Sequence, residues 1–205
     1  MKTRSFISSR LAAVLLIAGL APALTGCAGA IIGAGATVGV AAMQERGLEG
    51  VTRDTTIAAN ILSNLVNSDS GLATAVSVEV WEGRALLTGL VESEEGRAEA
   101  VRLAWQVSGV KDVINELGIN NGEGIVDFTY DSWITTKIES RITFDGDIFA
   151  INYDVETVNG VVYLIGIAQS RGELDRVIAH ARDVERVRRV ITHVRVKDPV
   201  SAPAS

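Results

Sequence analysis

The 205-residue chain holds 19 Lys and Arg against 25 Asp and Glu, a net charge of −6, and 47% of its residues are apolar. An acidic chain argues against general nucleic-acid binding, which leaves a basic footprint. One cysteine excludes an internal disulfide, and two histidines without a second His or Cys at ligand spacing argue against a metal site.

Lys2, Arg4 and Arg10 precede an apolar run from Leu11 to Leu24, followed by small residues and Cys27. That order of charged, apolar and small residues is the order of a secretory signal. Leu24-Thr25-Gly26-Cys27 resembles a bacterial lipobox, in which the thiol receives a diacylglycerol, the chain is cut before the cysteine and the new amino terminus is acylated. Residues 1–26 are therefore read as a lipoprotein signal peptide and Cys27 as the lipid-attachment site; an uncleaved anchor with an incidental cysteine is the alternative. No cofactor is expected beyond the covalent diacylglycerol and acyl chain on Cys27, which together anchor where a single chain holds only marginally. Three of the 19 basic residues and no acid lie in the leader, so the remainder sets 16 basic against 25 acidic residues, a net charge of about −9.

Ala28 to Met43 is uncharged and rich in Gly and Ala. Gly29 and Gly33, then Gly35 and Gly39, have the spacing of a helix-dimerisation motif in a membrane, but 16 residues fall short of the roughly 20 needed to span one. The Gly33-x-Gly35 pair lacks the preceding strand of a dinucleotide loop. Residues 27–50 are read as a lipidated cysteine and flexible tether.

An internal repeat organises the rest. Placing Asp54 on Asp131 gives an ungapped register to Ile119 on Val196, in which 16 of 66 positions are identical. Ile57, Ile61 and Leu65, like Ile134, Ile138 and Ile142, mark an amphipathic helix, with Asp54 and Asp131 placed as N-caps. A hairpin follows: Val76, Val78 and Val80 alternate with polar or exposed positions, Glu82-Gly83 or Asn159-Gly160 turns, and Ala85 to Leu90 returns. Gly83 and Gly160 are thus turn glycines, while Gly89 and Gly166 lie inside the return strand, where glycine marks a bulge or a close backbone approach. Ser93 and Ser170 open a second helix, Ser170 with capping-box spacing to Glu173. Strands over Val110 to Leu117 and Val187 to Val196 close the copies. The order αββαβ predicts an α+β fold with helices on one face of a small sheet.

This order, the glycines at 83/160 and 89/166 and the closing Val-Ser-Gly-Val-Lys-Asp-Val-Ile resemble BON domains, and Asp131-Ser-Trp-Ile-Thr-Thr-Lys137 is similar to the second domain of dual-BON outer-membrane lipoproteins. The organisation read from this is a signal peptide 1–26, tether 27–50, BON domain 1 over 51–120, linker 121–130, BON domain 2 over 131–198 and a disordered tail 199–205. The resemblance implies a non-enzymatic lipoprotein on the periplasmic face of the outer membrane. It implies binding of anionic phospholipid through the first helix of domain 2, concentration at division sites and support of envelope integrity. Ala28, rather than Asp, after the cysteine is consistent with that sorting.

The residues themselves place Trp133, Lys137 and Arg141 at i, i+4 and i+8, one residue before the buried stripe. An indole between two long cations suits a headgroup boundary. The first copy has Thr56, Asn60 and Asn64 there. Residues 44–119 hold 6 basic and 12 acidic residues against 10 and 11 in 131–198, so an anionic surface repels the second domain less. The competing reading has Trp133 covering an interdomain contact with the cations merely solvated. Phe144 joins the phospholipid-binding set as a loop anchor; Phe149 could join it too, but it precedes an apolar strand and is expected in the core. Asp145 and Asp147 suggest a calcium loop only superficially, since the further oxygen ligands and late Glu are absent.

Arg182, Arg186, Arg188 and Arg189 form a second basic group, read as a solvated helix end, a grip for phosphate or an acidic partner, or a contact to the acidic first domain. No hydrolase elbow, phosphate loop or zinc-protease motif occurs, so no enzyme is expected. The expected partner is an anionic phospholipid membrane; docking of an envelope enzyme or assembly machine is the alternative, and neither nucleic acid nor metal is expected.

Overall fold

The structure is a computed structural model that describes residues 41–68, 71–120 and 128–197; Cys27 and the segments read as a signal peptide, the start of a tether, most of a linker and a tail lie outside the described residues. The first copy opens with helix α1 (Gly47–Val66), whose Ile57, Ile61 and Leu65 are buried as their four-residue spacing requires. A short turn of helix, α2 (Leu72–Ala75), leads into β1 (Val76–Trp81), then β2 (Arg84–Val91), α3 (Glu94–Trp105) and β3 (Asp112–Ile119). β1 and β2 form an antiparallel hairpin, and α3 carries the chain over to β3, which lies parallel to β2. The second copy repeats the plan with α4 (Phe128–Phe144), β4 (Tyr153–Val158), β5 (Val161–Ala168), α5 (Arg171–Arg182) and β6 (Arg189–Thr192). Its closing strand is broken, and a separate β7 (Arg195–Val196) resumes pairing with β5. The expected αββαβ order and α+β class describe both copies.

Asp54 and Asp131 are not N-caps. α1 starts well before Asp54, and Asp131 lies in the first turn of α4. Both share the buried stripe, and both turn their carboxylates onto the hairpin. Asp54 accepts from the N–H groups of Glu82 (2.8 Å) and Gly83 (3.0 Å), and Asp131 from those of Asn159 (2.6 Å) and Gly160 (2.8 Å). A buried carboxylate satisfied this way ties the first helix to the turn. The N-cap role falls instead to Ser93 and Ser170, whose hydroxyls accept from Gly96 and Glu173 N–H.

The turn glycines Gly83 and Gly160 have φ of 81° and 71°. Gly89 and Gly166 mark a tighter constraint: a Cβ there would stand 2.0 Å from the carbonyl oxygen of Ala75 or Asn152. The hairpin's first strand therefore crosses directly against the second at this point.

Each sheet buries one face beneath its own two helices, giving two separate cores. The opposite faces are not left to water. Trp81 and Leu86 of the first copy pack against Tyr163, Ile165 and Ile167 of the second, all five buried. Polar links rim this contact. His193 Nε2 lies 2.8 Å from Glu116, Arg195 makes two bonds to Glu82 at 3.0 and 3.1 Å, and Lys197 reaches Glu45 at 2.9 Å. The acidic first domain is thus met by the end of the chain, not by the Arg182–Arg189 group.

Candidate functional site

α4 places the residues singled out from the sequence. At 3.6 residues per turn, Tyr130, Trp133, Lys137, Arg141 and Phe144 share one flank, beside the buried Ile134, Ile138 and Ile142. Thr135 lies on the other side and bonds Thr157 of β4 at 2.8 Å. Trp133 is 44% exposed, its ring edge-on to Tyr130 at 6.2 Å, and Phe144 at the helix end is 88% exposed. Lys137 is exposed as well. Trp133 does not join the contact between the sheets, which is built from other residues.

Arg141 departs from this pattern. Its guanidinium donates to Asp183 at 2.8 Å and to the carbonyl of His180 at 3.2 Å, tying α4 to the end of α5. The cation is present on the flank but half-buried and already paired. Phe149 departs too. It is 59% exposed, and Ile148 takes the core position instead, while Glu173 accepts the Phe149 N–H at 3.0 Å. Phe144 at the end of α4 and Phe149 in the loop after it thus both stand exposed.

The acids in that loop pair with side chains of α5. Asp145 lies 2.8 Å from His180 Nε2, accepts the Asp147 N–H, and is held below the usual carboxylate range chiefly by the His180 bond. Asp147 pairs with Arg176. Among the described residues no group of three or more His, Cys, Asp or Glu is arranged to hold a metal ion. No helix among them is long and apolar enough to cross a membrane.

Two features escaped the sequence reading. α4 begins early enough to add Phe128, 62% exposed, and Tyr130 to the aromatic surface. The signal was the Phe-x-Tyr-x-x-Trp run preceding the repeat boundary. The second feature is a carboxylate cluster between the sheets. Burial beside Asp154 and Glu156 pushes Glu79 up to about 8, and burial likewise raises Asp154 and Glu156 and, on α4 beside the cluster, Glu139. Trp81 donates its indole N–H to Asp154. Arg46, stacked 3.8 Å over the Trp81 ring, supplies the nearby positive charge while also bonding Asp54 at 3.0 Å.

Two stretches of the chain, residues 53–121 and 130–198, match the BON domain family. An uncharacterised protein from the gshII 5′ region of Anaplasma centrale is 44% identical over 128 residues, which cover 62% of this chain and 85% of that protein. The outer membrane lipoprotein DolP of Haemophilus influenzae is 34% identical over 72% of this chain and 78% of its own length. The osmotically-inducible protein Y of Escherichia coli is 32% identical over 70% and 73%.

Proposed function

Since the chain belongs to the BON-domain family and carries two tandem copies, we propose that it is an outer-membrane lipoprotein whose second domain binds anionic phospholipid through α4. Cys27 would carry the acyl anchor on the periplasmic side, and the α4 contact would support envelope integrity, including at division sites. The observation that carries this reading is the exposed flank of α4. Trp133, Lys137 and Phe144 stand on it, where the first copy has Thr56 and Asn60 on α1 and Asn67 just past its end. Large rings prefer the headgroup level, and each cation near an anionic leaflet gains about 1 kcal/mol. The name of the Haemophilus relative, an outer membrane lipoprotein, supports the location.

The test is flotation of the full chain with vesicles of phosphatidylcholine, with and without phosphatidylglycerol. The apolar amino-terminal segment contributes to both, so their difference reports the anionic contact. Lys137→Glu should weaken that difference by roughly tenfold or more, since reversing the charge is worth about 2 kcal/mol. Trp133→Ala should weaken it as well. Unchanged flotation in both variants would overturn the α4 assignment and favour a protein-docking module.

A further inference from the structure

Four arginines gather where α5 hands over to β6: Arg182 ends the helix, and Arg186, Arg188 and Arg189 follow. All four are exposed, and among the described residues none makes an ion pair with a carboxylate. Of the acids interleaved with them, Asp183 is already taken by Arg141. The Arg188 guanidinium stands 3.5 Å from the carbonyl of Asn159, the outer limit of a hydrogen bond.

Two clefts meet at Arg188. The larger, about 320 Å³, is lined by Arg182, Val187, Arg188, Arg189 and Val190, with no acid in its wall. The smaller, about 150 Å³, runs from Arg188 past Asn159 and Arg186 to Tyr130 on α4. Asp131 borders this second cleft, but its oxygens face the N–H groups of Asn159 and Gly160.

The first copy lacks the group. At the four matching positions it has Trp105, Gly109, Lys111 and Asp112. Gly109 has φ of 95° without strain, whereas Arg186 adopts φ of 67°, a left-handed conformation that side chains resist. In that conformation its guanidinium sits 3.5 Å over the Tyr130 ring. The cation thereby bridges the aromatic flank of α4 and the arginine-lined cleft.

We propose that the cleft walled by Arg182, Arg188 and Arg189 binds the phosphate of a membrane lipid headgroup, with Arg186 and Tyr130 joining it to the α4 surface. This deepens the α4 reading and rests on it for the identity of the ligand. Guanidinium forks match phosphate oxygens through paired N–H donors, and arginine is the cation suited to such recognition. The volume stands at the low end of the roughly 300–1,000 Å³ of ligand pockets, enough for a headgroup while the acyl chains stay in the bilayer.

Calorimetric titration of the full chain with dihexanoyl-phosphatidylglycerol, kept below its micelle concentration, and separately with inorganic phosphate, tests this. The Arg182→Gln/Arg188→Gln variant should lose about tenfold or more in affinity for the short-chain lipid, the worth of one charge-assisted phosphate contact. Arg171→Gln, a cation of α5 paired with Asp175 outside the cleft, should bind the short-chain lipid as the parent does, while Trp133→Ala should weaken the flotation difference between vesicles with and without phosphatidylglycerol. Parent-like binding by the double arginine variant overturns the cleft site and leaves the α4 reading standing. Equal affinity for inorganic phosphate overturns the lipid assignment in favour of a free-anion site. Loss of short-chain binding in the arginine variant, with vesicle flotation unaffected by Trp133→Ala, upholds the cleft and overturns α4 instead. Because the substituted side chains are exposed, a thermal melt matching the parent's verifies folding, and Arg189→Gln alone should show a smaller loss in the same direction.

Discussion

The two copies share a skeleton and differ in what they show to the outside. Ile57 and Ile134, Ile61 and Ile138, Leu87 and Leu164 occupy the same buried places, and Asp54 and Asp131 make the same two bonds to the hairpin turn. Around that frame the first copy presents Asn, Thr and acid, whereas the second presents Trp133, Phe144, Lys137 and an arginine-lined cleft. Duplication thus separates two demands: packing holds the repeated positions, and the positions free of packing in one copy carry the candidate chemistry.

The strongest test of a shared frame is the glycine that each hairpin crosses. Gly89→Ala and Gly166→Ala each drive a Cβ to 2.0 Å from a carbonyl oxygen at φ of 125° or 145°. Backbone must move, so each should cost more than about 3 kcal/mol, a large share of a typical domain's 5–15 kcal/mol. Thermal melting of the two variants should show comparable losses. A harmless substitution in either copy would break the equivalence.

The carboxylate that braces the turn should separate the copies. Asp131→Ala strips two N–H groups of their acceptor and should cost about 1–3 kcal/mol. Asp54→Ala does the same and also removes the partner of Arg46, a pair whose side chains are 1% and 10% exposed. Breaking a buried pair costs about 3–5 kcal/mol, so denaturant melts should rank Asp54→Ala clearly below Asp131→Ala.

Much of the frame was legible because it rests on short periods: the four-residue stripes, the Gly turns and the Ser caps all declare themselves locally. What was hidden depends on contacts far along the chain. Asp54 reads as a cap because nothing local reveals that its oxygens will find the turn at Glu82 and Gly83. Glu79, Trp81, Asp154 and Glu156 read as the wet side of alternating strands, yet the same side of the other sheet covers them. Phe149 falls on the buried Leu72 in the repeat register, but Ile148 fills that core place, leaving the ring outside. At the candidate site, the spacing of Trp133, Lys137 and Arg141 did predict a common flank; the Arg141–Asp183 pair, joining different helices, gave no local sign.

The covered carboxylates predict a pH dependence. Glu79 has a folded pKa of about 8, above the ordinary value of 4.5, so the folded state holds a proton that the unfolded state releases. Its contribution is complete below the unfolded value, falls as pH rises between the two, and is lost once pH passes about 8. Glu79→Gln should flatten the decline in melting temperature over that window and stabilise the protein at its alkaline end. Glu156, the matching residue, is raised in the same direction, so Glu156→Gln should flatten it in the same sense. An unchanged slope in both variants would mean that the sheets do not enclose these acids together.

The smallest effect should come from the most conspicuous links between the copies. Arg195 forms two bonds with Glu82, but the two side chains are 47% and 33% exposed, so salt and water screen the pair. Arg195→Ala should therefore cost only about 0.2–1 kcal/mol in a melt, whereas truncating the buried Trp81 to Ala should cost about 3–5 kcal/mol. The first copy supplies this indole where the second has Val158, so the contact is lopsided: one large ring from one sheet is enclosed by Tyr163, Ile165 and Ile167 from the other. If Arg195→Ala proved the more damaging, charge rather than apolar burial would be what holds the copies face to face. The ordering follows from where each group sits, since the rim pair keeps its water in the separated domains and the indole does not.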